Sequence, residues 1–221
     1  MPNLPAFITF TGVDDHTDVD AMAELAARYP IEWGVLFSPK RQGKEEHPRY
    51  PSLEFLKKLT HLGRGLRLSA HLCGGDARQV IELGRSQYDE PIREHFDRVQ
   101  INTVDYVNPK DLAAWAQGLQ VHAILQCRDV FPNNDDVSWL YDASGGRGIS
   151  PAIWPASLGG SWLIGYAGGL NPGNVAAAVA QIQTQASNYW IDLETGARDE
   201  DDRFSIEKCR AVCEAVYGVR V

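Results

Sequence analysis

Eight apolar, strand-like runs alternate with amphipathic helical stretches from one end of the chain to the other, and this alternation constrains the fold more than any other feature. The runs fall at 6–12, 31–38, 66–73, 98–103, 120–128, 137–143, 162–168 and 189–194. Between them, apolar residues recur at helical spacing over 19–29, 52–62, 76–83, 111–117, 174–183 and 205–217. Strands joined through helices run parallel, because each crossover returns the chain to the same end of the sheet. Eight such units predict closure into a single-domain (β/α)8 TIM barrel, and 221 residues lies toward the short end for that architecture. A doubly wound open sheet uses the same alternation and is the alternative, since periodicity does not report closure. No linker, low-complexity tract or charge block marks a second domain. The sixth unit is the weakest: 145–160 is rich in Gly, Pro and Ser and reads as a long loop. The charged connection 40–47 reads as a lid or a surface insertion.

Charge narrows the class of partner. Asp and Glu outnumber Lys and Arg by 29 to 21, a net −8, so neither a nucleic-acid backbone nor an anionic membrane surface is attracted to the molecule as a whole. A local basic pocket for one phosphate remains compatible with that balance. No apolar run reaches the roughly 18–20 residues that span a bilayer, and the first residues, Met1-Pro-Asn-Leu-Pro5, lack a basic segment followed by an apolar one. The four cysteines have no zinc-type spacing, and Cys209 and Cys213 lie four apart on the last helical stretch, a poor disulfide geometry. The expectation is a cytoplasmic protein with reduced thiols, no cofactor and no metal, acting as a monomer or homodimer on a small phosphorylated metabolite.

Alternation along the strands locates the chemistry. On the third run Leu68, Ala70 and Leu72 share one face, and Ser69, His71 and Cys73 share the other. Gln100 and Asn102 oppose Val99 and Ile101 on the fourth run, and Asp192 and Glu194 oppose Ile191 and Leu193 on the eighth. In a barrel the apolar face packs on the helices, so these polar residues point into the mouth. Two glycine turns follow the last two runs, Gly168-Gly169-Leu-Asn171-Pro172 and Glu194-Thr-Gly196. Glycines let backbone N–H groups approach an anion, Asn171 can cap a helix opening at Pro172, and barrels often place phosphate between the seventh and eighth loops.

These segments resemble phosphoribosylanthranilate isomerase. Ala167-Gly-Gly-Leu-Asn-Pro-Gly-Asn-Val175 is similar to that family's seventh strand and loop, and Asp142-Ala-Ser-Gly-Gly-Arg-Gly148 to its sixth. Phe37-Ser-Pro-Lys40 with His47-Pro-Arg-Tyr-Pro-Ser52, Val99-Gln-Ile-Asn102 and Asp192-Leu-Glu-Thr-Gly196 resemble its second, fourth and eighth strand ends. The resemblance implies Asp142 as general acid and Arg49 as the grip on a substrate carboxylate. It implies Gly168, Gly169 and Gly196, with Gly145 and Gly146, as the phosphate loops. The implied reaction is an Amadori rearrangement: an acid protonates the ring oxygen, and a base then removes the C2 proton.

The first strand departs from that pattern, which keeps open a different phosphosugar lyase or epimerase on the same barrel, or a barrel that binds a phosphorylated metabolite without turnover. Thr11 stands where the family carries a cysteine base, and a hydroxyl has no useful basicity near neutral pH. His71 is the leading replacement, with Asp14, Asp15, His16 and Cys73 behind it. Asn102, where the family more often has His, and Arg128, at the end of the fifth run, are further substrate-binding candidates. Glu194 beside a phosphate loop requires a cationic partner, for which Arg198 and Arg147 are the candidates.

Overall fold

A computed structural model describes residues 3–63, 65–143, 147–159 and 162–220. All eight strands form: β1 (Ile8–Thr11), β2 (Ile31–Phe37), β3 (Leu68–Cys73), β4 (Arg98–Asn102), β5 (His122–Cys127), β6 (Ser138–Tyr141), β7 (Ile164–Ala167) and β8 (Tyr189–Leu193). They are parallel and pair in sequence order, with β8 closing on β1 through Ile8 opposite Ile191 and Phe10 opposite Leu193. The open-sheet alternative is therefore excluded, and the chain is one (β/α)8-type barrel.

Helices α1 (Val19–Ala26), α2 (Leu53–Leu62), α5 (Pro109–Gly118) and α7 (Ile206–Tyr217) begin where short polar side chains stop the extended chain. Asp18, Ser52, Asn108 and Ser205 each accept a hydrogen bond from a first-turn backbone N–H. Between β3 and β4 the chain forms two helices, α3 (Gly75–Leu83) and α4 (Asp89–His95). The second is absent from the sequence reading because it buries only Ile92 and so carries no apolar stripe. Helix α6 (Val175–Ile182) starts three residues later than Asn171-Pro172 suggests. Asn171 Oδ1 takes the N–H of Gly173 in a local turn, so Asn171 shapes the loop and does not cap the helix.

Strict alternation fails at the β5–β6 and β6–β7 connections, which hold no helix among the described residues. Turn-forming residues around Pro132-Asn-Asn-Asp-Asp136 explain the first. Aromatic side chains close the gap. Phe131 and Trp154, 4% and 5% exposed, pack on Tyr141 and Tyr166 from the outer face of the sheet, with Phe131 edge-on to Tyr166 at 5.3 Å and Trp154 at 5.8 Å. Two loop aromatics thus do the covering that helices do elsewhere around the barrel.

The interior is sealed at the N-terminal end. Phe7, Ile124, Leu140 and Trp190 form an apolar plug, and Arg98 lies 4.1 Å over the Trp190 ring. Arg98 also bonds Glu32 at 3.1 Å, and Arg67 reaches the same carboxylate at 3.3 Å. A buried carboxylate is tolerated there because both charges find partners. With that end shut, the accessible cavity lies at the strand C-termini.

Candidate active site

A cavity of about 410 Å3 opens at the C-terminal mouth, within the range usual for small-molecule sites. Alternation along each strand brings Thr11, His71, Gln100, Asn102, Gln126 and Asp192 to its wall; the face pattern predicts His71, Gln100, Asn102 and Asp192, whereas Ser69 and Cys73, read onto the same face, do not line it. Asp142, Arg128, Gly168, Gly169 and Gly196 also line it, so sequence-distant candidates meet in one space. Gly145 and Gly146 lie outside the described residues. Asp14, Asp15, His16 and Arg49 do not line it.

The glycine turns sit against each other. Gly168 and Gly169 have φ of 123° and 60°, and a Cβ on Gly168 would stand 3.7 Å from Asp142 Oδ1. A Cβ on Gly196 would stand 1.9 Å from the carbonyl oxygen of Leu170, so only glycine allows the β8 loop to approach the β7 loop this closely. Asn174 ties the β7 turn by donating to Gly169 O at 2.9 Å and accepting from Asn171 N at 2.8 Å.

Arg49 stands at the rim with its guanidinium already engaged. It donates to Glu194 at 2.6 Å and to Asp202 at 2.8 and 3.2 Å. The partner of Glu194 is therefore Arg49 and not Arg198, which is buried and donates to Asp14, Gly12 O and Asp202. Asp14 accepts from Arg198 at 2.7 Å and from Phe204 N at 2.8 Å, and Asp15 holds Ser52. These acids fasten loops. Arg78, on α3, lines the cavity with Arg128, and neither has an ion-pair partner among the described residues. Arg78 has no local signal in the sequence, being an exposed arginine on an amphipathic helix.

Four side chains on β3 and β4 form a chain. Gln100 Nε2 donates to Asn102 Oδ1 at 2.7 Å and lies 3.4 Å from His71 Nδ1, and Asn102 Nδ2 donates to Cys73 Sγ at 3.3 Å. His71 Nε2 and Gln100 Oε1 are buried with no partner. Burial and the Arg98 charge push the imidazole down to about 3, so His71 is neutral and a weak proton acceptor. Burial raises the Cys73 thiol, which stays protonated. Cys127 turns away into the sheet–helix core, and among the described residues no group of three metal-binding side chains comes together.

Among the cavity-lining groups, Asp192 is pushed far from its ordinary value. Burial, together with the charges of Glu194, Glu32 and Asp142, pushes its carboxyl up to about 8, although a hydrogen bond from Thr11 Oγ1 at 2.8 Å pulls the other way. Alternation sets Asp192 in the mouth, but sequence carries no information on how many acids crowd it.

A closed parallel barrel with a polar C-terminal cavity and glycine turns after its last two strands belongs to the class that holds its ligand at the strand C-termini. Among solved structures, the chain superposes on the phosphoribosyl anthranilate isomerase of Thermus thermophilus with a TM-score of 0.60 and 16% identity, covering 96% of this chain and 99% of that one. A phosphoribosyl anthranilate isomerase in complex with reduced 1-(o-carboxyphenylamino)-1-deoxyribulose 5-phosphate gives 0.59 and 13% over 97% and 100%. A mutant tryptophan synthase alpha-subunit from the hyperthermophile Pyrococcus furiosus gives 0.62 and 13% over 99% and 100%. At these identities the shared property is the fold. No protein-family model and no curated protein matches the sequence. Among the described residues no helix is long and apolar enough to cross a membrane.

Proposed function

We propose that this protein isomerises a phosphorylated sugar amine by acid–base chemistry of the Amadori type. The observation that carries the reading is the meeting of two glycine turns, at Gly168-Gly169 and Gly196, in the same cavity as Asp142. Closely approached backbone at the end of β7 and β8 suits a phosphate, and Asp142, beside Gly168, is positioned to protonate the ring oxygen of a sugar anchored there. The isomerase with a bound carboxyphenylamino deoxyribulose phosphate supports the substrate class.

The two ends of such a substrate then map onto opposite sides of the mouth. The phosphate lies against the glycine turns. A carboxylate at the other end falls to Arg128 and Arg78, because Arg49 is held by Glu194 and Asp202. His71 and Asn102 are assigned to the sugar hydroxyls. Thr11, which cannot act as a base, is the observation that favours a second reading, a barrel that binds a phosphorylated metabolite without turning it over.

Turnover of phosphoribosylanthranilate by the purified protein, monitored through loss of its fluorescence, and rescue of a tryptophan auxotroph lacking the isomerase both test the first reading. Arg78→Ala with Arg128→Ala should raise KM about 10- to 100-fold with a smaller change in kcat, the pattern of lost uniform binding. Binding of inorganic phosphate without turnover or rescue would leave the binding-only reading standing in its place.

A further inference from the structure

An Amadori rearrangement needs a group to take the C2 proton, and Thr11 has none to offer. We propose that Asp192 is that base, with Thr11 as the residue that positions it. The inference rests on the isomerase reading above and names the half of the chemistry which that reading leaves open.

Asp192 sits on β8 between Thr9 of β1 and Ala167 of β7 in the strand register, and its side chain reaches the cavity while remaining 7% exposed. Thr11 donates its hydroxyl to Oδ1 at 2.8 Å, and Oδ2 has no hydrogen-bond partner among the described residues. Thr11 has room to do so because Gly34 lies opposite it across β1 and β2. A Cβ on Gly34 would stand 2.5 Å from Thr11 Oγ1. The small side of Ala167 and the absent side chain of Gly34 therefore leave one oriented carboxyl at the wall, with a free oxygen facing the ligand space.

Elimination of the other groups points the same way. His71 is too weak a base, the Cys73 thiol is raised by burial, Asp14 is bound by Arg198, and Glu194 by Arg49. The charged and titratable groups around Asp192 are Glu32 on β2, His71 on β3, Arg98 on β4, Asp142 after β6 and Glu194 at its own strand end. Acids outnumber cations in that set, and the buried carboxyl titrates at about 8. A base whose pKa lies near the working pH is the most effective compromise between strength and availability.

The step balances within the substrate. Asp142 gives a proton to the ring oxygen, and the C1–O bond breaks as the nitrogen lone pair forms C1=N+. Asp192 then takes the proton from C2. The C2–H electron pair becomes C1=C2, and the C1=N pair returns to nitrogen, giving an enolamine. The C2 hydroxyl loses its proton to form the ketone while C1 regains one, for which the protonated Asp192 is at hand. C2 is oxidised and C1 reduced by the same pair of electrons, so no external oxidant or reductant enters.

The test is the pH dependence of phosphoribosylanthranilate turnover in wild type, Asp192→Asn and Thr11→Val, with inorganic phosphate binding measured on each. The wild-type kcat/KM should climb with pH to a plateau, with an apparent pKa near 8. Asp192→Asn should lose about 10²–10⁴-fold in kcat together with the climbing limb, while phosphate affinity stays within about threefold. Thr11→Val should move the limb to higher pH, since the hydrogen bond that stabilises the carboxylate is gone; a purely structural Thr11 would leave the limb in place. Should Asp192→Asn fail to fold, the Thr11→Val limb decides. An active wild type whose Asp192→Asn variant keeps activity within about tenfold, or whose Thr11→Val limb stays put, overturns this inference alone. A wild type with no turnover overturns it together with the isomerase reading.

Discussion

Substitution of Gly196 by Ala is a sharp test of the site, because the consequence can be worked out from one distance. The added Cβ would lie 1.9 Å from Leu170 O, 2.9 Å from Leu170 C and 3.0 Å from Asn171 Cα, all backbone atoms that cannot rotate away. Relief to the 3.0 Å that Cβ contacts require means separating the β7 and β8 loops by about 1.1 Å. Overpacking of this kind costs about 1–3 kcal/mol. For a chain of this size that is a drop of about 2–12 °C in Tm. A shift of about 1.1 Å also takes a hydrogen bond from its usual 2.9 Å to near 4 Å, beyond useful range. Loss of one charge-assisted bond to a phosphate should weaken binding by about 10- to 100-fold. Titration calorimetry with inorganic phosphate and a thermal scan measure both effects. Gly118→Ala at the end of α5, where a Cβ meets nothing within 4 Å, is the control and should leave both unchanged or raise Tm slightly. A Gly196→Ala protein with the Tm and phosphate affinity of wild type would refute the claim that the two loops meet and form the phosphate cradle.

Two further outcomes follow from the packing and the buried charges. Asp192 keeps its proton in the folded protein up to about pH 8, whereas the unfolded chain releases it near 3.8, so Asp192 makes the protein less stable as pH rises through that window. Guanidinium denaturation should therefore show Asp192→Asn gaining stability over wild type between pH 5 and pH 8; an unchanged difference would refute the raised pKa. Phe131→Ala and Trp154→Ala, which uncover the aromatic cluster on Tyr141 and Tyr166, should each cost about 3–5 kcal/mol in the same assay, and a loss below about 1 kcal/mol would show that these loops do not substitute for the missing helices.

The strands were legible because their signal is local: eight apolar runs of the right length, with polar residues on alternate positions of the third, fourth and eighth. The mouth-facing set His71, Asn102 and Asp192 could be read from the same alternation, since a period of two assigns every residue to one face. Helix α4 was not legible, with one buried residue and hence no stripe. The loop character of 145–160 was legible from its Gly, Pro and Ser, but not the packing of Phe131 and Trp154 onto a distant part of the sheet. The role of Arg49 shows the same limit. The resemblance implies Arg49 as a ligand contact, and only the structure shows that Glu194 and Asp202, distant in sequence, hold its guanidinium.

By itself, then, the sequence determined the parallel eight-strand architecture, the polar face of the third, fourth and eighth strand ends and the two glycine turns, because all of these follow from periodicity and local backbone chemistry. Tertiary structure decided which charges meet. Closure brought Thr11 of β1 to Asp192 of β8, and folding brought Arg49 to Glu194 and left Arg78 with Arg128 at the cavity wall. The balance of burial and neighbouring charge that raises the Asp192 carboxyl exists only where strands far apart in the chain converge, and no local pattern records it.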